Sequence, residues 1–225
     1  MKRITILLAD DHQIVREGFR SLLEHERDIE VVGEAQNGRQ AVQLTRKLRP
    51  AVVVMDIAMP LLNGLEATRQ IRKEFPDTRV LILSAHGDDA YVEQVTALGA
   101  AGFLLKETSS DVLAKAIREV QKGNTFFSPA ISRRVLDRSQ RLAAPSGSSK
   151  QCGNRLSSRE VEVLQLIAEG KSNKQVAAEL GVSFKTVDKH REHLMSKLDI
   201  HDIAGLTRYA IAEGIIESNI RVSIT

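Results

Sequence analysis

The chain has 225 residues, 42% of them apolar and 27% charged, with a net charge of +3. These are ordinary values for a soluble globular protein of one or two domains. A single cysteine, Cys152, permits no internal disulfide, and no apolar run nears the ~20 residues that span a bilayer. The six-residue run Ile4–Ala9 is too short for a signal peptide and stops at two acids, so a cytoplasmic protein without membrane contact is expected.

In chain order, apolar strand-like runs alternate with segments of helical period. Ile4–Ala9 runs into Asp10-Asp11, after which Ile14, Val15, Gly18, Phe19, Leu22 and Leu23 recur at helical spacing. Residues 31–35 predict a second strand, and Ala41, Val42, Leu44 and Leu48 a helical stripe before Pro50. Val52–Met55 runs into Asp56, and a helix over 65–75 stops at Pro76. Residues 80–83 run into Ser84 and lead to Ala90, Val92, Val95 and Leu98, then Gly99. Gly102–Leu105 runs into Lys106 and leads to Val112, Leu113, Ala116, Ile117 and Val120, then Gly123. These βα units predict an α/β, doubly wound, five-stranded parallel sheet over residues 1–124.

Residues 125–154 read as a linker. A basic, helix-like flank from Arg133-Arg134 to Arg141 precedes a small, turn-rich stretch at 143–149. Residues 129–154 hold 5 Lys/Arg and 1 Asp/Glu, against 10 and 10 over 155–225, so the basic balance lies largely in the linker. Over 155–217 four short helices are predicted, opened by Ser157 or Ser158, Ser172, Ser183 and Asp202. Gly170, Gly181 and Gly214 end the first, second and fourth. The second and third meet across Gly181-Val182-Ser183, the joint of a helix-turn-helix. Residues 218–225 form a tail in which Ile220, Val222 and Ile224 alternate.

In a parallel sheet the strand carboxyl ends share one rim, where ligands bind. Asp10, Asp11, Asp56, Ser84 and Lys106 all fall there. Carboxylates suit Mg²⁺, which takes one or two of them with water and phosphate oxygens. A carboxylate beside a metal can accept a phosphoryl group, and an amine and a hydroxyl can hold the transferred oxygens. Taken singly, each residue reads more simply as a cap, a turn or a solvated surface group. Their recurrence on four strand ends makes the joint reading the stronger one.

These stretches resemble response regulators of the NarL/FixJ type, a receiver domain followed by a LuxR-type helix-turn-helix. Leu8-Ala9-Asp10-Asp11-His12, Met55-Asp56-Ile57-Ala58-Met59-Pro60 with Asn63-Gly64, and Gly99 through Lys106 carry the receiver resemblance. Leu156-Ser157-Ser158-Arg159-Glu160, Gly170-Lys171-Ser172-Asn173-Lys174 and Lys185-Thr186-Val187-Asp188-Lys189-His190 carry that of the output domain. The resemblance implies that Asp56 is the phosphoacceptor, that Asp10 and Asp11 are metal acids, and that the Ala58 carbonyl completes the Mg²⁺ shell. It implies Ser84 as switch hydroxyl and Phe103 as switch aromatic, where many members carry tyrosine. A sensor histidine kinase would supply the phosphoryl group. The third output helix would enter the major groove of duplex DNA.

If Val187, His190, Arg191, Leu194 and Leu198 face the core, then Lys185, Asp188, Lys189, Glu192 and Ser196 face outward. Lys174, Ser183, Lys185, Thr186, Asp188, Lys189 and Arg191 are the candidate DNA contacts. Relatives often place basic residues where this chain has Asp188 and Glu192; an acid accepts from cytosine N4, or pairs within the helix with Lys185 and Lys189. His190 and His193 lack the further ligands of a zinc site. Ile203, Leu206, Ala210 and Ile211 either pack only on their own domain or, as the resemblance implies, pair two chains on phosphorylation, giving a homodimer that reads inverted-repeat sites.

A phosphorylation-controlled transcription regulator is thus expected, and not an enzyme. The rivals are an adaptor that has lost DNA binding and a slow phosphatase. The phosphatase lacks an acid two residues past the nucleophile, where Ala58 stands.

Overall fold

A computed structural model describes residues 3–85, 94–127 and 156–216, and the chain divides into two compact units, Met1–Ser148 and Ser149–Thr225. The basic flank and turn-rich stretch of the linker, the tail, and Ala90 and Val92 of the expected fourth helix lie outside the described residues. No helix among those described is long and apolar enough to cross a membrane.

The first unit is the expected parallel sheet. Its strands are β1 (Ile4–Ala9), β2 (Ile29–Ala35), β3 (Val52–Met55), β4 (Arg79–Ser84), β5 (Gly102–Leu105) and a short β6 (Phe126–Phe127), in the order β2-β1-β3-β4-β5-β6. β2 starts two residues earlier than the apolar run implied, because Ile29 pairs with Ile4 and is buried. Residues 126–127, expected in the linker, form β6, whose two phenylalanines extend the sheet beyond the five expected strands, beside Gly102 and Phe103.

Helices cover both faces: α1 (Gln13–Glu24), α2 (Gly38–Leu48), α3 (Gly64–Glu74) and α4 (Ser110–Gln121). Residues 94–97 are also helical. Successive strand residues point to opposite faces. Leu7, Val53, Met55, Val80, Ile82 and Phe103 accordingly pack with Ala41, Val42, Leu65 and Ile71 on one side. Ile6, Leu8, Val52, Val54, Leu81 and Leu104 pack with Leu23, Leu113 and Ile117 on the other. Each such burial stabilises by roughly 1.5–3 kcal/mol, which is why the central strands carry apolar residues without alternation.

α1 departs from its sequence stripe. Leu23 is buried, but Ile14 is 84% and Leu22 44% exposed. The charged Arg16 instead turns inward, at 5% exposure.

Among its described residues the second unit has only helices: α5 (Ser158–Ala168), α6 (Asn173–Leu180), α7 (Phe184–Leu198) and α8 (Ile203–Ala212). Ser157, Ser172, Ser183 and Asp202 cap them as expected, and the first two form reciprocal capping boxes with Glu160 and Gln175. α5 packs against the other three helices and is buried on most sides, through Val163, Leu164, Leu166 and Ile167. Gly181 ends α6 in the left-handed region at φ 63°, a conformation that costs glycine nothing, and turns the chain into α7.

Candidate functional site

The strand order places β1 between β2 and β3, so connections leave β1 and β3 in opposite directions and open a crevice beyond their carboxyl ends. Ala9 lies level with Met55, which brings Asp10 and Asp56 side by side. Ser84 lies level with Leu105, and Lys106 N donates to Ser84 O at 2.9 Å, so β4 and β5 deliver the remaining two groups to the same rim. Lys106 Nζ stands 2.8 Å from Asp10 Oδ2 and 2.9 Å from Asp56 Oδ2. The other oxygens accept from backbone: Asp56 Oδ1 from Ile57 N and Asp10 Oδ1 from His12 N, both at 2.9 Å. Asp10, Asp56 and Ser84 are all buried.

Burial pushes the Asp56 carboxyl up to about 7; the Lys106 ammonium opposes that rise and the Asp10 carboxylate adds to it. Burial also works against the charge on Lys106, but Asp56 and Asp10 outweigh it and leave the amine above its ordinary value. The ammonium therefore keeps its charge, and Asp56 is the member of the pair whose charge is costly.

Asp10, Asp11, His12 and Asp56 offer ligand atoms that all lie within 4.8 Å of one another, a cluster able to hold a divalent cation. Its carboxylate oxygens suit a hard ion better than its imidazole does. His12 was not among the expected site residues. It follows Asp10-Asp11 directly in sequence, and its Nδ1 lies 2.8 Å from Asp11 Oδ1. Arg16 was also missed, because a charged residue in a helical segment reads as solvated. Its guanidinium donates to Asp10 O at 2.7 Å and contacts Glu34 at 3.3 Å, pinning the β1 end from below.

The loop after β3 is tightly folded. Gly64 N donates to Ile57 O at 2.8 Å, and a Cβ on Gly64 would fall 1.8 Å from Asp56 O, so only glycine allows α3 to start so close to the site. Ala58 is half-buried in this loop. Phe103 is fully buried among Met55, Ile82 and Val95, one side of the sheet away from solvent.

In the second unit, Lys174, Ser183, Lys185 and Lys189 are exposed and Thr186 is half-buried. Glu192, His193 and Ser196 continue the exposed side of α7. Asp188 does not share it. Its Oδ1 accepts from Asn173 Nδ2 at 2.6 Å, and Arg191 donates to Asn173 Oδ1 at 3.0 Å, so α6 holds both side chains and leaves them half-buried. The expectation of an outward Asp188 is corrected by that cross-helix amide, which helical periodicity does not register. The intrahelical alternative is not formed either, since Lys185 and Lys189 make no ion pair among the described residues.

Two of the four expected dimer residues are corrected as well. Leu206 and Ala210 are fully buried in their own unit, whereas Ile203 is 53% and Ile211 38% exposed. A small helical domain needs its few apolar side chains for its own core.

Residues 6–118 match the family described as the response regulator receiver domain, and residues 154–210 match the luxR family of bacterial regulatory proteins. The chain belongs to the NarL/FixJ type of response regulator, a two-component receiver joined to a LuxR-type helix-turn-helix, and is a regulator rather than an enzyme. The transcriptional regulatory protein LiaR of Bacillus subtilis (strain 168) is 40% identical over 207 residues, covering 92% of this chain and 96% of LiaR. DegU of Brevibacillus brevis is 37% identical over 211 residues, 89% of each chain. RcsB of Salmonella typhimurium superposes with a TM-score of 0.61 at 29% identity, over 95% of this chain and 99% of that one. A structure of two RcsB dimers bound to two parallel DNAs gives 0.56 at 29% identity, over 92% and 98%.

Proposed function

We propose that Asp56 accepts a phosphoryl group from a sensor histidine kinase and that this controls duplex DNA binding by the second unit. The observation that carries the reading is the bridging of buried Asp10 and Asp56 by Lys106 at 2.8 and 2.9 Å, at the rim where β1, β3 and β5 end. A phosphohistidine P–N bond breaks as an Asp56 oxygen forms the P–O bond. Mg²⁺ held by Asp10, Asp11, Asp56 and the Ala58 carbonyl would neutralise the entering phosphoryl oxygens. Lys106 moves its charge from the carboxylate to those oxygens, Ser84 donates a hydrogen bond to them, and Phe103 repacks behind Ser84.

In this reading the receiver, expected over 1–124, runs on through β6 to Phe127, and the linker then joins it to the output domain at 155–217. Lys174, Ser183, Lys185, Thr186 and Lys189 contact DNA, and Ile203 and Ile211 pair two chains on inverted-repeat sites. The structure of RcsB dimers bound to DNAs supports a dimer on DNA, without bearing on which residues pair or on the site sequence. The adaptor alternative drew on the near-neutral charge of 155–225 and on two acids at the reading face; Asn173 engages Asp188, while Glu192 stays exposed.

The first test is phosphoryl labelling from a phosphorylated kinase with Mg²⁺. Wild-type chain should acquire one acid-stable, base-labile label, and Asp56→Asn none, with an unchanged far-UV spectrum. Retained labelling in that variant sinks the assignment. Selection from random duplex DNA, with a phosphate mimic in the receiver, should enrich an inverted repeat.

A further inference from the structure

α7 buries Val187 and Leu194 but leaves Phe184 51% exposed. A lone exposed apolar side chain is ordinary on a protein surface. What singles out Phe184 is its position. It is the first residue of α7, set by the Ser183 cap whose hydroxyl accepts from Thr186 N. Lys185 and Lys189, both exposed and without ion pairs among the described residues, follow on the same helix and attract a polyanion. Asp188 and Arg191, the polar side chains one turn and two turns on, are already engaged with Asn173. The start of α7 therefore presents an exposed aromatic ring, with the exposed Lys185 and Lys189 next to it along the same helix.

In a helix-turn-helix the N-terminal residues of the second helix meet base edges. The apolar feature of the major groove is the thymine 5-methyl, and phenylalanine is among the side chains that pack on it. We propose that Phe184 is a specificity residue that selects thymine by contact with its 5-methyl group. This rests on the reading that the second unit binds duplex DNA.

The test uses the full chain, with a phosphate mimic and Mg²⁺, on the duplex it selects. Each thymine is replaced in turn by deoxyuridine, which removes only the methyl. One position per half-site should weaken wild-type binding about fourfold, the equivalent of ~0.8 kcal/mol for one buried methyl-sized group. Phe184→Ala should bind the thymine duplex about as weakly and ignore the replacement, and Phe184→Leu should keep part of the effect. All three proteins should share one salt dependence, because the phosphate contacts are untouched. A selected half-site without thymine, a wild type indifferent to every replacement, or a Phe184→Ala protein as sensitive as wild type overturns the inference while the DNA reading stands. Absence of any salt-dependent duplex binding overturns the DNA reading, and this inference with it.

Discussion

Asp56 is under two opposing demands. As the proposed phosphoacceptor it must be anionic to attack phosphorus, yet it is buried where a neutral carboxyl is preferred, with a pKa near 7. Lys106 offsets part of that cost, and a divalent cation would offset more. In the unfolded chain the group titrates near 4. Between about pH 4 and 7 the folded chain therefore holds a proton that the unfolded chain has lost, and wild-type stability falls as pH rises through that window. Asp56→Asn should accordingly stabilise the receiver at pH 8 by at least about 1 kcal/mol, the equivalent of one pKa unit, with the gain vanishing below pH 4. Thermal melts of the two proteins across pH 4–8 check this, and a constant offset would refute it. Asp10, Asp56, Ser84 and Lys106 were legible because a parallel strand that ends in a polar residue places it on the ligand rim. Arg16 was not, since a buried cation is recognised only when its partners in space are known; His12 adjoins the two acids in sequence, but only its distance to Asp11 shows that it joins them.

At the level of elements, the caps were the most legible features, because each is a local bond between a side chain and a backbone N–H a turn away. Ser157, Ser172, Ser183 and Asp202 all serve as anticipated. Glu160 shows what local reasoning leaves out. It closes the Ser157 capping box, yet it is also 3% exposed and bonded to Lys197 of α7 at 2.7 Å. Burial opposes its charge, but Lys197 and Ser157 outweigh burial and hold the carboxyl below its ordinary value. Its stabilisation is thus complete above about pH 4.5 and is lost as pH falls through the lower folded pKa. Glu160→Gln should cost the second unit about 1 kcal/mol at pH 7, a modest figure because Lys197 is 40% exposed. It should also flatten the acid limb, as read from hydrogen exchange of α5 and α7 amides between pH 3 and 7. An unchanged pH profile would assign the acid sensitivity elsewhere. The same blindness to cross-helix partners explains why Asp188 was expected outward.

Across the whole molecule, a phosphoryl group on Asp56 controls DNA binding only if the two states of the receiver differ in free energy with DNA bound and free. Coupling of this kind is typically about 1–3 kcal/mol. The chain carrying a phosphate mimic should thus bind its selected duplex about 5–150-fold more tightly than Asp56→Asn. Linkage is reciprocal, so the duplex should tighten binding of the mimic by the same factor; a mimic that leaves duplex affinity unchanged would exclude the switch.

The sequence by itself determined the sheet, the helical output unit, the helix caps and the strand-end chemistry. Apolar periodicity and capping depend on contacts a few residues apart, and those contacts are written consecutively along the chain. The tertiary structure alone decided that Lys106 bridges two carboxylates, that Arg16 is buried beneath Asp10, that Asn173 captures Asp188, and that Phe184 stands free on α7. Each of these depends on distance and desolvation between side chains, several of them far apart in sequence, which only the packed fold brings within reach.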